Sequence, residues 1–286
     1  MSAYPTKVLI NDTIYDSKDA KISVFDRGFL FGDGIYEAMV QLNGKLFFEK
    51  EHLERLDYCL KEIQIEFDVS TLKPKIAQLL ASSGLATSDC FLYIQVTRGV
   101  APRKHSFPKD VKPTLMMYAI AKELPEVNDS LITVNTIEDF RWNRCDLKSI
   151  SILGNVMAND LAISNENYET LFVRDFKITE ASHCNVFFVK GEVLYTHPAN
   201  QFILNGITRI IVKNLCQKLN IKLIETAVHI NDIATMDEAF LTGTATQIAR
   251  IKKIDDIAFD TAIENSVTER LQQAFVLLKN DENYLL

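Results

Sequence analysis

The chain has 286 residues, 47% of them hydrophobic and 24% charged, with 31 basic against 38 acidic side chains and a formal net charge of -7. That composition is globular and excludes disordered, fibrous and collagen-like classes. An acidic balance without a concentrated basic stretch also argues against a nucleic-acid or anionic-membrane partner.

The length suits two packed domains or one large one. The start, MSAYPTKVLINDTIYD, lacks the basic segment and apolar run of a secretory leader, and no later apolar run is long enough to span a bilayer, so a cytoplasmic protein is expected. Cys59, Cys90, Cys145, Cys184 and Cys216 are odd in number and scattered, with no Cys-x-x-Cys pair. Neither a disulfide framework nor a metal site is indicated, and free thiols in a reducing compartment are expected.

In chain order, TKVLINDTIYD sets two apolar runs around Asn11-Asp12, and YEAMVQLNGKLFFEK sets two more around Asn43-Gly44, a strong hairpin signal. KEHLERLDYCLKEI then changes period, with Leu53, Leu56, Leu60 and Ile63 on one helical stripe and Arg55 off it. CFLYIQVTRG and TLMMYAIAK are strand candidates, separated by the proline-containing loop VAPRKHSFPKDVKP. ELPEVNDS is short, polar and proline-containing, which makes it the expected boundary. The predicted organisation is therefore a domain over 1–122, a linker over 123–130 and a second domain over 131–286.

In the second domain, LITVNTIEDF reads as a strand, ILGNVMANDLAISN as a helix, and ETLFVRDFKITEASHCNVFFVKGEVLYTH as several strands joined by tight turns. GITRIIVKNLCQKL reads as a helix opened by Gly206, EAFLTGTATQIARI as a strand breaking at a glycine turn, and SVTERLQQAFVLLKN as a closing helix. The pattern is α+β in both domains.

Four groups in this pattern can carry chemistry. Lys148, in RCDLKS, is an ordinary solvated lysine or, in a partly buried site, an amine freed by desolvation to form a Schiff base with a carbonyl. Glu180, in KITEASHCN, is a turn acid or a carboxylate set against the ring nitrogen of pyridoxal phosphate. The stretch NGITR is a plain helix start or a phosphate site built from backbone N–H groups and the helix dipole. The turn TGTAT adds hydroxyls and close-approach backbone.

Each signal is weak alone, but the order FDRGFLFGDGIYEAM, HLERL, RCDLKSISILGN, ITEASHCNVF, LNGITR and FLTGTATQ across nearly the whole chain resembles the class IV, pyridoxal-phosphate-dependent aminotransferases. The resemblance implies a two-domain α+β fold, with a small α/β N-terminal domain and a larger, β-barrel-like C-terminal one. It implies that Lys148 holds the cofactor covalently and moves the substrate's α-proton, and that Glu180 pairs with the pyridine nitrogen. Arg55, Ile207, Thr208 and Thr244 match the phosphate-binding positions, Leu204 the apolar residue beneath the ring, and Arg141 an arginine near the ring hydroxyl.

On the substrate side, Arg103 and His105 with Tyr36 resemble the carboxylate trap of the D-amino-acid branch of the family. A loop of that kind reaches the neighbouring subunit's site in the relatives, which implies a homodimer. The implied substrates are D-amino acids such as D-alanine and 2-oxo acids such as 2-oxoglutarate. A branched-chain L-aminotransferase and an aminodeoxychorismate lyase are the alternatives within the family. Three departures accompany the match: His183 and Cys184 stand where the D-amino-acid branch has a serine-rich run after the cofactor acid, TGTAT is nearer to the turn of the branched-chain enzymes, and Phe29-Leu30 occupies a position whose side chains could line the pocket.

Overall fold

The computed structural model describes residues 4–127, 131–281 and 284. Residues 128–130 of the predicted linker lie outside the described residues. Two compact units emerge, one comprising Met1–Glu123 with Leu147–Ser151, the other Leu124–Asp146 with Ile152–Leu286. The five residues around Lys148, which the sequence boundaries give to the second domain, pack with the first unit.

The first unit contains β1 (Lys7–Ile10), β2 (Thr13–Asp16), α1 (Arg27–Phe31), β3 (Gly34–Leu42), β4 (Lys45–Leu46), α2 (Glu49–Glu62), α3 (Leu72–Ser82), β5 (Cys90–Thr97) and β6 (Thr114–Ala121). Its antiparallel strands pair in the order β2-β1-β6-β5-β3-β4. The hairpin between β3 and β4 turns on Asn43 and Gly44 with φ of 50° and 77°, left-handed geometry that a two-residue connection demands and these residues tolerate. Helix α2 buries His52, Leu56, Cys59 and Leu60, a stripe of i, i+4, i+7 and i+8 spacing. Leu56 and Leu60 join Ile35, Met39, Leu92, Ile94 and Leu147 in one core.

The second unit contains β7 (Leu131–Glu138), α4 (Leu153–Ser164), β8 (Glu169–Arg174), β9 (Lys177–Ala181), β10 (Asn185–Lys190), β11 (Val193–Thr196), α5 (Ile207–Lys218), β12 (Lys222–Glu225), β13 (Glu238–Gly243), β14 (Gln247–Ile254), β15 (Ile257–Ala258) and α6 (Val267–Asn280). Its mixed sheet runs β12-β11-β10-β13-β14-β7-β8-β9, with β15 beside β14. Strand β9 leads straight into β10 through a three-residue turn, where Ala181 N–H donates to the Cys184 carbonyl at 2.7 Å. The path from β10 to β9 therefore comes round on itself as a curled half-barrel. Its inner face carries Val134, Leu171, Val186, Phe188, Leu241 and Ile251, while α5 and α6 cover β13 and β14. Among the described residues no helix is long and apolar enough to cross a membrane.

Candidate active site

In the first unit the segment bearing Lys148 lies along an edge of β3. Tyr36 N–H donates to the Lys148 carbonyl at 2.9 Å and Ile150 N–H to the Gly34 carbonyl at 3.0 Å, and Leu147 is anchored in the core. These contacts fix the backbone on both sides of Lys148. Its amine stands 4.2 Å from the centroid of the Tyr36 ring, which stacks on Tyr93, itself stacked on Tyr118.

Arg55 occupies the flank of α2 that faces β3. It donates to the buried Glu37 through Nε at 2.6 Å and Nη2 at 3.0 Å, and His52 Nδ1 lies 2.7 Å from the same carboxylate. Burial pushes the Glu37 carboxyl up, but the neighbouring Arg55 and His52 outweigh it and hold it well below the usual carboxylate range. Periodicity placed Arg55 off the apolar stripe. It did not reveal the anchoring acid, although His52 and Arg55 are spaced i, i+3 in HLERL and so share a face.

Arg103 and His105 are exposed in the loop between β5 and β6, and they meet at Phe31. The Arg103 guanidinium lies 4.9 Å and the His105 ring 5.7 Å from its centroid, with Arg27 at 4.6 Å. Arg27 also donates to the Lys104 carbonyl at 2.6 Å, and the Arg98 guanidinium sits 3.6 Å over Phe107. The loop thus leaves β5 at Gly99, where φ is 102° and an added Cβ would fall 2.0 Å from the Lys112 carbonyl oxygen, so only glycine fits. Of the apolar residues in DRGFLFGDG, Phe31 organises this cluster, while Phe29 is 77% exposed.

In the second unit Glu180 is the penultimate residue of β9 and is buried. Oε2 accepts from Asn185 Nδ2 and from the Leu204 N–H, both at 3.0 Å. Oε1 accepts from Arg141 Nη1 at 2.7 Å. Arg141 is divided, since its Nε and Nη2 donate to Asp139 at 2.9 and 3.0 Å. Burial, only partly offset by this shared arginine, raises the Glu180 carboxyl from 4.5 to about 7. Asn185 also donates to the Leu204 carbonyl at 2.8 Å, so one amide holds both the acid and the backbone of Leu204.

Helix α5 starts next to this group. Its N-cap is Gly206, with no side-chain cap, and an added Cβ there would fall 2.3 Å from Asn185 Oδ1. Ile207 and Thr208 form the buried first turn. Across the sheet Asn185 pairs in register with Thr242, whose buried Oγ1 has no hydrogen-bond partner. Thr244 lies in the turn between β13 and β14.

The structure therefore joins Glu180, Arg141, Leu204 and the start of α5 into one group, and Tyr36 and Lys148 into another beside Arg55. Glu37, Asp139 and Asn185 are the buried partners that motif reading missed. Each group, taken within its own unit, suits a part of pyridoxal phosphate. A protonatable buried carboxyl suits a pyridine nitrogen, an uncapped helix start suits a phosphate, Thr242 Oγ1 is an unmatched buried hydroxyl, and Lys148 offers a partly buried amine.

Comparison with known proteins agrees. The family described as amino-transferase class IV matches residues 34–254. A D-alanine aminotransferase of Staphylococcus haemolyticus is 38% identical over 274 residues, covering 94% of this chain and 96% of its own. Among solved structures, a branched-chain aminotransferase from Thermoproteus uzoniensis with norvaline superposes with a TM-score of 0.86 at 22% identity, covering 99% of this chain and 98% of its own. The branched-chain amino acid aminotransferase of Escherichia coli gives 0.87 at 22% identity, covering 96% and 95%, and a further branched-chain aminotransferase of the same fold is solved with pyridoxamine 5'-phosphate. With its matched core, its full-length relatives and its shared fold, the chain belongs to the class IV aminotransferases, a family of pyridoxal-phosphate-dependent enzymes.

Proposed function

We propose that this enzyme moves the amino group between a D-amino acid, such as D-alanine, and a 2-oxo acid, such as 2-oxoglutarate, giving pyruvate and D-glutamate. The observation that carries the reading is the Arg103-His105 pair, held at Phe31 in a chain 38% identical to a D-alanine aminotransferase. An arginine with a neighbouring imidazole suits a carboxylate, since each charge-assisted hydrogen bond contributes about 1.5–3 kcal/mol. Tyr36 completes the carboxylate trap.

In this reading Lys148 would hold the cofactor, and its amine takes the proton from the substrate's Cα and then gives it up again, acting first as base and then as acid. When bound, pyridoxal phosphate supplies the electron sink for the pair released at Cα. Glu180 would hold the ring nitrogen, and Arg141 orients Glu180. Arg55, Thr244 and the backbone of Ile207 and Thr208 would hold the phosphate, and Leu204 would pack against the ring. The first domain, over 1–122, presents the trap, and the second, over 131–286 beyond the linker, presents most of the cofactor groups.

A second reading is a branched-chain L-aminotransferase, favoured by the Gly243-Thr244 turn, whose backbone could take the carboxylate instead. The deciding experiment is a half-reaction that follows the absorbance of the bound cofactor while D-alanine and, separately, L-leucine are added. A response to D-alanine alone supports the D-specific reading, and a response to L-leucine alone sinks it. Arg103→Ala should raise KM for D-alanine roughly 10- to 100-fold, and an unchanged KM would move the trap elsewhere. Release of pyruvate from aminodeoxychorismate would indicate the lyase.

The enzyme works as a homodimer. Helix α4 supports this by exposing Leu153, Val156 and Met157 on one face, an apolar surface that a second copy can cover. Light scattering at twice the chain mass is the expected result. The five cysteines are all unpaired and buried, which supports a reducing, cytoplasmic location.

A further inference from the structure

We propose that Glu169, His183 and Cys184 bind a zinc-like divalent cation. One ligand atom from each of these residues lies within 4.8 Å of the other two, although no Cys-x-x-Cys spacing announces such a site in the sequence. Glu169 opens β8 and the other two belong to the turn between β9 and β10, so the cluster is closed by strand pairing rather than by sequence proximity.

The donor set is specific. Carboxylate, imidazole and thiolate are the three side-chain ligands that zinc accepts, and a nitrogen with a sulfur disfavours magnesium and calcium. His183 Nδ1 is 2.9 Å from Glu169 Oε2, and the Cys184 thiol is 3.2 Å from Thr246 Oγ1. Around a tetrahedral zinc with bonds of about 2.0–2.3 Å the ligand atoms stand roughly 3.5 Å apart, so the His183–Glu169 pair has to open by about half an ångström while any wider separation, none above 4.8 Å, closes towards that value. The His183 side chain is 53% exposed and can make that movement. It also gives the cation a route from solvent to Cys184, which is only 4% exposed.

The carboxylate is built in. Glu169 is 0% exposed, and its Oε1 accepts from Ser182 Oγ and from the Thr170 N–H, while Oε2 accepts from the His183 N–H at 2.8 Å. Such contacts orient a ligand from outside the metal sphere. A buried carboxylate requires compensation of its charge, which a bound cation would supply. Coordination would release the thiol proton of Cys184 to solvent. The fourth position is left to water.

The test incubates the cofactor-loaded protein with zinc chloride, passes it through metal-free buffer and measures retained zinc by elemental analysis. The wild type should keep about one zinc per chain, and Cys184→Ser and His183→Ala should keep about a tenth of that or less. Circular dichroism confirms that each variant is folded. Should a variant misfold, cobalt(II) added to the wild type supplies the second measurement, through the visible bands of a four-coordinate thiolate complex. A wild type that retains no zinc and gives no cobalt bands overturns the proposal, as does a folded Cys184→Ser protein that retains as much zinc as the wild type.

Discussion

Two buried carboxylates, one in each unit, meet an arginine and are shifted in opposite directions. Glu37 receives two donors of Arg55 and a contact from His52, and it is held ionised. Glu180 receives one donor of Arg141, whose other edge is committed to Asp139, and its carboxyl rises to about 7. Both are buried against an arginine, so the difference lies in the neighbours: His52 adds to Arg55 at Glu37, whereas Asp139 takes part of Arg141 and adds a negative charge near Glu180. Two donors of one arginine with a histidine beside them make a fixed anion that anchors Arg55. A divided fork leaves an acid able to exchange a proton near neutrality, which suits a partner for a ring nitrogen.

The sharpest way to break the contrast is Glu37→Gln. Removing one partner of a buried ion pair leaves the Arg55 charge uncompensated and should cost about 3–5 kcal/mol in urea unfolding. Added pyridoxal phosphate should narrow that gap if Arg55 holds its phosphate, and an unaffected midpoint would refute the anchoring role. Next comes Glu180→Gln, which should lower kcat for transamination by about 100-fold or more because the ring nitrogen loses its proton donor. A wild-type kcat would mean that another group carries that proton.

Protonation of Glu180 also leaves a trace in stability. Its carboxyl titrates near 4.5 when unfolded and about 7 when folded, so the native state binds more protons between these values. The contribution is fully present below about pH 4.5 and lost as pH rises through about 7. In cofactor-free protein it should appear as a fall of up to about 1.4 kcal/mol per pH unit that Glu180→Gln lacks. The smallest effect is expected from Asp139→Asn, which releases the Arg141 fork to Glu180 and removes a nearby negative charge. Both changes lower the Glu180 carboxyl, so the falling window should move to lower pH, and an unmoved window would show that burial alone sets it.

What the chain alone discloses follows distance along it. The Asn43-Gly44 turn and the α5 start at Gly206 are local patterns, and the structure forms them where the spacing puts them, while the α2 stripe keeps Leu56 and Leu60 and turns to bury His52 and Cys59 more fully than Leu53 and Ile63. Lys148 and Glu180 were found through motif order. Their partners are not local. Glu37 is 18 residues from Arg55 and Arg141 is 39 from Glu180, and strand pairing brings them together. Asp139 looks like a strand-end acid until Arg141 is seen to fork onto it. Likewise, Glu169 joins His183 and Cys184 only once β8 and β9 are side by side. Phe31, rather than Phe29, gathers Arg103 because α1 turns one phenyl ring towards that loop and the other to solvent.

The return of Leu147–Ser151 to the first unit has a practical consequence for dissecting the protein. A gene fragment stopped at the proline-containing linker would encode every strand of the first sheet, yet it would lack the strip that covers the edge of β3 at Gly34 and Tyr36 and the leucine seated in its core. Such a fragment is an incomplete building block, and a peptide spanning 147–151 supplied in trans is the missing piece. The first unit cannot be finished until ribosomal synthesis has passed the chain's midpoint, so Lys148 arrives together with the last element that makes its own scaffold whole.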